Sequence, residues 1–93
     1  MKIVFLTRGW EDVIFWQQHD VKMFGRVVAL VEDVRRSPFR GIGKPEPLRE
    51  NLAGWWSRRI SEEHRLVYRV VGRDDDQRLE IAQCRFHYHQ GRR

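Results

Sequence analysis

The sequence has little of what would indicate a secreted, membrane-bound or multi-domain protein. Its 93 residues include one cysteine, Cys84, so no disulfide can form within the chain, which favours a reducing cytoplasm. No apolar run approaches the roughly 20 residues that a membrane-spanning helix needs. The N-terminus lacks the small-residue cleavage site of a signal peptide and has the pattern of a first strand. We therefore expect one cytoplasmic domain without membrane contact.

Proline is also scarce, and all three prolines lie between residues 37 and 51. This segment reads SPFRGIGKPEPLREN, and Phe39, Ile42 and Leu48 can anchor it as an ordered loop. It lacks the longer glycine motif of a phosphate-binding loop. The loop therefore separates an N-terminal part from a C-terminal part of different character.

The rest of the chain predicts two helices followed by three strands, after a first strand at residues 2–6. Apolar side chains recur at helical spacing over two segments, the first capped by Thr7 and the second by Asp20, ending before Ser37. Three later runs have the composition of strands: residues 52–60, 64–71 and 78–88. The order β-α-α-β-β-β predicts an α+β domain with both helices packed on one face of a small, mainly antiparallel sheet.

Positive charge is concentrated in the middle of the chain. Residues 35–69 hold nine Lys or Arg against four Asp or Glu, a net charge of +5, whereas the two flanking segments carry −1 and +1 and cancel. Two adjacent tryptophans, Trp55 and Trp56, lie in the same segment. Cations with aromatic neighbours suit a phosphate backbone and its bases, although a solvated basic face has the same composition.

Glu46 is the one carboxylate of this basic segment that stands between two prolines, Pro45 and Pro47. A carboxylate repels a phosphate backbone, so its presence needs a reason. One reason is an ion pair with Lys44 or Arg49 that holds the loop. The other is catalysis, and the residues alone leave both open.

The basic segment has the residue types for cleaving RNA without a metal. That reaction needs a base for the 2′-hydroxyl, an acid for the leaving 5′-oxygen and cations for the phosphorane charge. Glu46 suits the base, His87 the acid, and Arg65 with Arg59 the cationic clamp. Strand alternation would bring Arg59, Arg65, Arg85 and His87 to the sheet face away from the helices. Nearby cations favour the ionised form of a carboxylate and so make it a weaker base. Glu46 would therefore either take the proton or only orient the hydroxyl.

The remaining histidines give no clear sign of a metal site. His87 and His89 have the spacing of a short metal motif, but no cysteine or second acidic pair accompanies them, so we expect no metal and no cofactor. His64 begins a strand beside Glu62 and Glu63, and we expect a structural role for it.

Four motifs, GKPEPL, WSRRI, EHRLVY and CRFHY, follow one another between residues 43 and 88. Together they resemble the signature of the YoeB (Txe/YoeB) toxins of bacterial toxin–antitoxin systems, relatives of the RelE-type mRNA interferases, over residues 1–88. The resemblance implies the RelE-like fold. It also implies ribosome-dependent cleavage of translated mRNA in the A site, leaving a 2′,3′-cyclic phosphate and a 5′-hydroxyl.

The resemblance further implies the active-site residues. The family's catalytic glutamate, transition-state arginine and general-acid histidine match Glu46, Arg65 and His87. Arg49 stands where the family frequently has lysine. The residues expected to bind substrate, from the resemblance and from their charge, are Arg59, Arg49, Tyr88, Lys44 and Arg85.

Partners are implied in the same way: a YefM/Phd-type antitoxin, the ribosome and mRNA, DNA through the antitoxin complex alone, and a homodimer by family analogy. Residues 89–93, HQGRR, extend past the tyrosine at which family members commonly end, so we expect a toxin domain at 1–88 and a short C-terminal extension. The alternative function is a ribosome- or RNA-binding inhibitor that does not cut, or a co-repressor subunit of the antitoxin complex.

Overall fold

The computed structural model describes residues 1–88, which form two helices on a five-stranded sheet. The elements are β1 (Lys2–Phe5), α1 (Thr7–His19), α2 (Val21–Arg36), β2 (Glu46–Pro47), β3 (Trp56–Arg59), β4 (Arg65–Val71) and β5 (Arg78–Gln83). The strand order is β1-β5-β4-β3-β2, with β1 parallel to β5 and the other neighbours antiparallel. The predicted α+β class, with both helices against a mostly antiparallel sheet, is confirmed.

The first and third predicted strands are within one residue of the observed β1 and β4, the other two are several residues shorter than expected, and one strand was not predicted. The run at 52–60 contains the end of a 3₁₀ turn, Glu50–Leu52, so β3 begins at Trp56. The last strand ends at Gln83 rather than continuing to residue 88. The additional strand is β2, whose two residues come from the proline-containing loop.

The predicted caps of the two helices had different outcomes. Asp20 caps α2 as expected, because its Oδ1 accepts a hydrogen bond of 3.2 Å from the Met23 N–H. The cap predicted at Thr7 was wrong: Thr7 is the first residue of α1, and Leu6 precedes it without a side-chain capping bond. The first helix is instead held by tertiary contacts, since the buried Asp12 carboxylate accepts from the Cys84 N–H at 3.0 Å.

The hydrophobic core fills the space between the helices and one face of the sheet. Buried side chains from the helices include Trp16, Leu30 and Val34, and those from the strands include Leu66, Tyr68, Leu79 and Ile81. Among residues 1–88 no helix covers the opposite face of the sheet, so that face is available to polar side chains. Within residues 1–88, neither helix has the length and apolar character needed to cross a membrane.

Arg58 fixes the proline-containing loop to the body of the protein. Its side chain is 0% exposed, and its guanidinium donates to the Asp33 carboxylate at 2.6 Å. It also donates to the backbone carbonyls of Ser37, Arg40 and Ile42, and to the Tyr68 hydroxyl. Arg58 was counted above in the basic segment, but its positive charge is paired with Asp33 inside the protein and does not contribute to a surface for ligands.

Gly43 allows the same loop to approach α2 and β3. Its φ is +81°, and a Cβ at this position would lie 2.8 Å from Leu30 Cδ2 and 3.1 Å from Arg58 Cβ. Its carbonyl accepts from the Arg59 N–H at 2.6 Å, which joins the loop to the end of β3. The loop thus leaves the body of the protein only three residues before Glu46, so that the position of this carboxylate is closely determined.

Candidate active site

Glu46 lies in an edge strand and heads a row of side chains that crosses the sheet. Its register partner on β3 is Ser57, which faces Val67 of β4, and Val67 faces Gln83 of β5. Cross-strand partners share a face, so these four residues form one row, here called the glutamate row. The residues that alternate with them on β3 and β4 pack into the core, and the row therefore lies on the sheet face away from the helices.

Arg59 and Arg65 are cross-strand partners in the adjacent row of the same face. They stand two residues along their strands from the glutamate row, about 7 Å away. Arg65 is 8% exposed, and its Nη1 donates to the carbonyls of Ser61, Glu62 and His64 at 2.7, 3.1 and 3.1 Å. Arg59 is exposed. Like charges directly opposite one another destabilise a sheet, and the three carbonyls bound by Arg65 offset part of that repulsion.

Tyr88 reaches the glutamate row from the segment that follows β5, and the exposed His87 ring stacks against it. The Tyr88 hydroxyl is 3.3 Å from Ser57 Oγ in a hydrogen bond, and the His87 and Tyr88 rings stack with centroids 4.7 Å apart. Gln83 Nε2 donates to the carbonyls of Arg85, Phe86 and His87 at 3.0, 3.3 and 3.3 Å, which holds the segment in a tight bend. Ser57 therefore lies between Glu46, its register partner, and Tyr88.

Arg85 does not join this site, contrary to the expectation from strand alternation. Its guanidinium carbon lies 3.4 Å from the Phe15 ring centroid of α1 and 4.5 Å from that of Phe86. Strand β5 ends at Gln83, so alternation no longer applies two residues later. The side chain consequently stacks against the first helix.

Lys44 and Arg49 flank β2 on the two sides of Glu46 and are both exposed. Leu48, which is 4% exposed, anchors the segment between them, and its N–H donates to the Trp55 carbonyl at 2.9 Å. The two cations thus lie along the edge of the sheet, on the approach to Glu46.

The open face also carries a cluster in which one carboxylate is shared by two guanidinium groups. Arg69 Nε donates to Glu80 Oε1 at 2.8 Å and Arg78 Nε to Glu80 Oε2 at 2.9 Å, while the Arg69 guanidinium lies 4.4 Å from the Trp55 ring centroid. Hydrogen bonds from Arg69 and then Arg78 hold the pKa of Glu80 below its ordinary value. With Arg58 buried and Arg69 paired to Glu80, the exposed arginine of β3 is Arg59, which lies beside the largely buried Arg65.

Sequence reasoning missed the contributions of Ser57 and Gln83. Both are polar residues in strands, and the alternation that placed Arg59 on the open face places Ser57 there as well. Their hydrogen bonds to Tyr88 and to the bend at 84–88 depend on a chain reversal that no motif signals. Among residues 1–88 no cluster of three or more His, Cys, Asp or Glu side chains could hold a metal ion, and His89 lies outside the described residues.

A family model described as "YoeB-like toxin of bacterial type II toxin-antitoxin system" matches residues 5–88. The chain belongs to this family. The YoeB-like toxin is 50% identical over 88 residues to Toxin YoeB of Escherichia coli (strain K12), an alignment that covers 95% of this chain and 100% of the relative. It is therefore the toxin of a type II toxin–antitoxin system.

Solved structures agree with this assignment. A YoeB/ParE toxin from Agrobacterium tumefaciens superposes on the YoeB-like toxin with a TM-score of 0.92 at 52% identity, covering 95% of this chain and 100% of that one. A heterotetrameric YoeB–YefM complex from Staphylococcus aureus gives 0.81 at 44% identity, covering 95% and 98%. A YoeB dimer from the same organism gives 0.82 at 43% identity with the same coverage. The fold is RelE-like.

Proposed function

We propose that this YoeB-like toxin is a ribosome-dependent endoribonuclease that cuts translated mRNA in the A site by metal-independent acid–base chemistry. The observation that carries the proposal is the arrangement of one open sheet face. There the row from Glu46 through Ser57 to Tyr88 adjoins the arginine pair Arg59–Arg65. A base, an anion site and a proton donor next to Tyr88 are the groups that such a cleavage requires.

In the proposed reaction Glu46 takes the proton of the 2′-hydroxyl or orients it, and the 2′-oxygen attacks the adjacent phosphorus. Arg65 and Arg59 bind the oxygens of the phosphorane, where negative charge is greatest. His87 gives its proton to the 5′-oxygen as the P–O bond breaks. The products are a 2′,3′-cyclic phosphate and a 5′-hydroxyl, and no cofactor takes part.

The position of Glu46 supports the dependence on the ribosome. Its side chain is exposed on a two-residue edge strand, so the protein supplies few walls to orient a flexible RNA. A correctly oriented attack contributes a large part of the rate in such reactions. An mRNA held in the A site provides that orientation, and we expect free RNA to be cut weakly.

The partners we propose follow from the relatives. The Staphylococcus aureus complex pairs a YoeB toxin with YefM, and a YefM/Phd-type antitoxin is the partner we propose here, with DNA contacted through that complex alone. A homodimer is proposed from the YoeB dimer of the same organism. We propose a cytoplasmic location, a toxin domain at 1–88 and an extension at 89–93.

The test is an mRNA-cleavage assay on programmed ribosomes with a defined codon in the A site. New 5′ ends are mapped by primer extension, and the upstream fragment is analysed for a cyclic phosphate. Wild type should cut in the A site, whereas Glu46→Gln and His87→Gln should each cut about 10²- to 10⁴-fold more slowly, as expected for acid–base groups. Both side chains are exposed, so the variants should remain folded.

Glu11→Gln, an exposed carboxyl on α1 remote from the open face, is the matched control and should cut like wild type. Absence of A-site cutting by wild type would refute the enzyme. Undiminished cutting by both Glu46→Gln and His87→Gln would refute their roles. If wild type blocks translation without cutting, and Glu46→Ala binds ribosomes as well or better, the chain is the non-cleaving inhibitor instead.

A further inference from the structure

Both backbone polar groups of Phe86 are bound at the start of β4, one to its first residue, Arg65, and one to the preceding residue, His64. The Phe86 N–H donates to His64 Nδ1 at 2.7 Å, and the Phe86 carbonyl accepts from the Arg65 N–H at 3.1 Å. Strand β5 has already ended at Gln83, so these two bonds replace the sheet ladder at this point. The residue that follows is His87, whose direction therefore depends on how Phe86 is held.

The backbone of Phe86 needs such a restraint. Its φ is +68°, a left-handed conformation that bulky residues rarely adopt. Strained conformations persist where the surrounding structure holds them, and they cluster at functional sites. Here the bonds to His64 and Arg65 supply the restraint, together with the bond from Gln83 Nε2 to the Phe86 carbonyl.

The imidazole of His64 is itself fixed in orientation. Trp16 meets it edge to face with ring centroids 4.8 Å apart, and the Trp16 Nε1–H donates to the Cys84 carbonyl at 2.8 Å. Glu63 Oε1 lies 3.8 Å from His64 Nε2. A backbone N–H can only donate, so Nδ1 carries no proton and the ring proton lies on Nε2, facing the Glu63 carboxylate.

We propose that His64 is a positioning residue: its neutral Nε2–H tautomer holds the Phe86 backbone and so directs His87 at the phosphate bound by Arg65. The inference rests on the proposed function, in which His87 is the general acid. His64 does not contact the RNA and acts through Phe86 alone. Residue 64 must therefore supply a hydrogen-bond acceptor at the position of Nδ1, and an apolar side chain of similar size would not replace it.

The first measurement is independent of catalysis. In ¹⁵N NMR spectra of the wild-type protein, the His64 ring should show an unprotonated Nδ1 and a protonated Nε2, and the Phe86 amide should exchange slowly with D₂O. His64→Leu keeps the bulk but removes the acceptor, so the Phe86 amide should lose its protection. His64→Asn keeps an acceptor close to the Nδ1 position and should retain it. His64→Gln carries the same amide group but places it further from Cβ, and it should lose protection like His64→Leu.

The second measurement is cleavage on programmed ribosomes. His64→Leu and His64→Gln should cut about 10- to 100-fold more slowly than wild type, as losses of orienting contacts do, with ribosome binding unchanged. His64→Asn should stay close to wild type. In a His87→Gln background, His64→Leu should give no further loss, because the group it positions is already absent.

The outcomes separate this inference from the proposed function. If wild type fails to cut, the proposed function fails while the tautomer and the exchange data still decide whether His64 holds Phe86. A proton on Nδ1, or equal Phe86 protection in the Asn, Gln and Leu variants, overturns the positioning role. So does an additive loss in the His87→Gln background. Should His64→Leu fail to fold, the comparison of His64→Asn with His64→Gln decides.

Discussion

Replacing each of the two adjacent arginines of β3 by methionine should change the free energy of unfolding by very different amounts. Arg58→Met removes a guanidinium that is 0% exposed and makes five hydrogen bonds to the loop, to Asp33 and to Tyr68. Arg59→Met removes an exposed one on the opposite face. The substitutions are chemically identical and one residue apart, so each is the control for the other.

The expected loss for Arg58→Met can be estimated from the backbone carbonyls that lose their donor. Three carbonyls, those of Ser37, Arg40 and Ile42, each lose a hydrogen bond. At about 1 kcal/mol per bond, the free energy of unfolding should fall by about 3 kcal/mol, and the lost bonds to Asp33 and Tyr68 add to this lower bound. A loss of about 3 kcal/mol lowers Tm by roughly 12–24 °C in a domain of this size. Arg59→Met should stay within about 0.5 kcal/mol of wild type.

The assay is equilibrium unfolding in urea, followed by far-ultraviolet circular dichroism and tryptophan fluorescence, together with thermal melts. Arg58→Lys, which keeps the charge but not the fork, should fall between wild type and Arg58→Met. The reasoning would be refuted if Arg58→Met and Arg59→Met had the same midpoint, because burial and hydrogen bonding would then contribute nothing measurable.

Three further outcomes are expected. The hydrogen bond from Arg58, and then that from the Ile42 N–H, hold the pKa of Asp33 below its ordinary value of 3.8, so the ionised carboxylate adds stability at neutral pH that is lost as the pH falls through its lowered pKa. The stability gap between wild type and Asp33→Asn, measured by urea unfolding at stepwise pH, should therefore close below about pH 4, and a constant gap would contradict the pairing. Burial, and secondarily the Asp12 carboxylate, raises the pKa of the Cys84 thiol to about 12, so iodoacetamide should label it in urea and hardly at all in the native protein; equal rates would contradict its burial. Gly43→Ala should destabilise by more than about 1 kcal/mol because of its positive φ, whereas Gly25→Ala, in open space on α2, should stabilise by roughly that amount, and effects of the same sign would show the loop to be adaptable.

The sequence predicted well what depends on local pattern. The two helices, the cap at Asp20 and the α+β class follow from periodicity and turn residues, and the structure has all three. Strand alternation also separated Arg59 from Arg58, since neighbouring residues of a strand face opposite sides. Charge counting alone ignored that separation and treated Arg58 as part of a ligand surface.

What the sequence did not predict depends on long-range contacts. Prolines argue against regular strands, yet Pro47 is tolerated in β2 because an edge strand leaves one side of its backbone unpaired. The bend after Gln83 arises from hydrogen bonds to β4, so the run at 78–88 read as one strand while Arg85 turned to Phe15. Thr7 has the chemistry of a cap, but α1 is held by the Asp12 bond to Cys84, 72 residues away in sequence. Such contacts cannot be recognised from the local sequence of either segment alone.

The parallel pairing of β1 with β5 has a consequence for the time at which the toxin forms during its synthesis. Strand β1 and helix α1 are made first, but their partners, residues 78–84, are among the last that the structure describes. A nascent chain that has not reached residue 78 lacks the strand next to β1, the anchor of Trp16 and the segment that carries His87. Because these pairings join distant parts of the chain, they form late. The complete fold of the toxin therefore forms only after residues 78–84 have been synthesised.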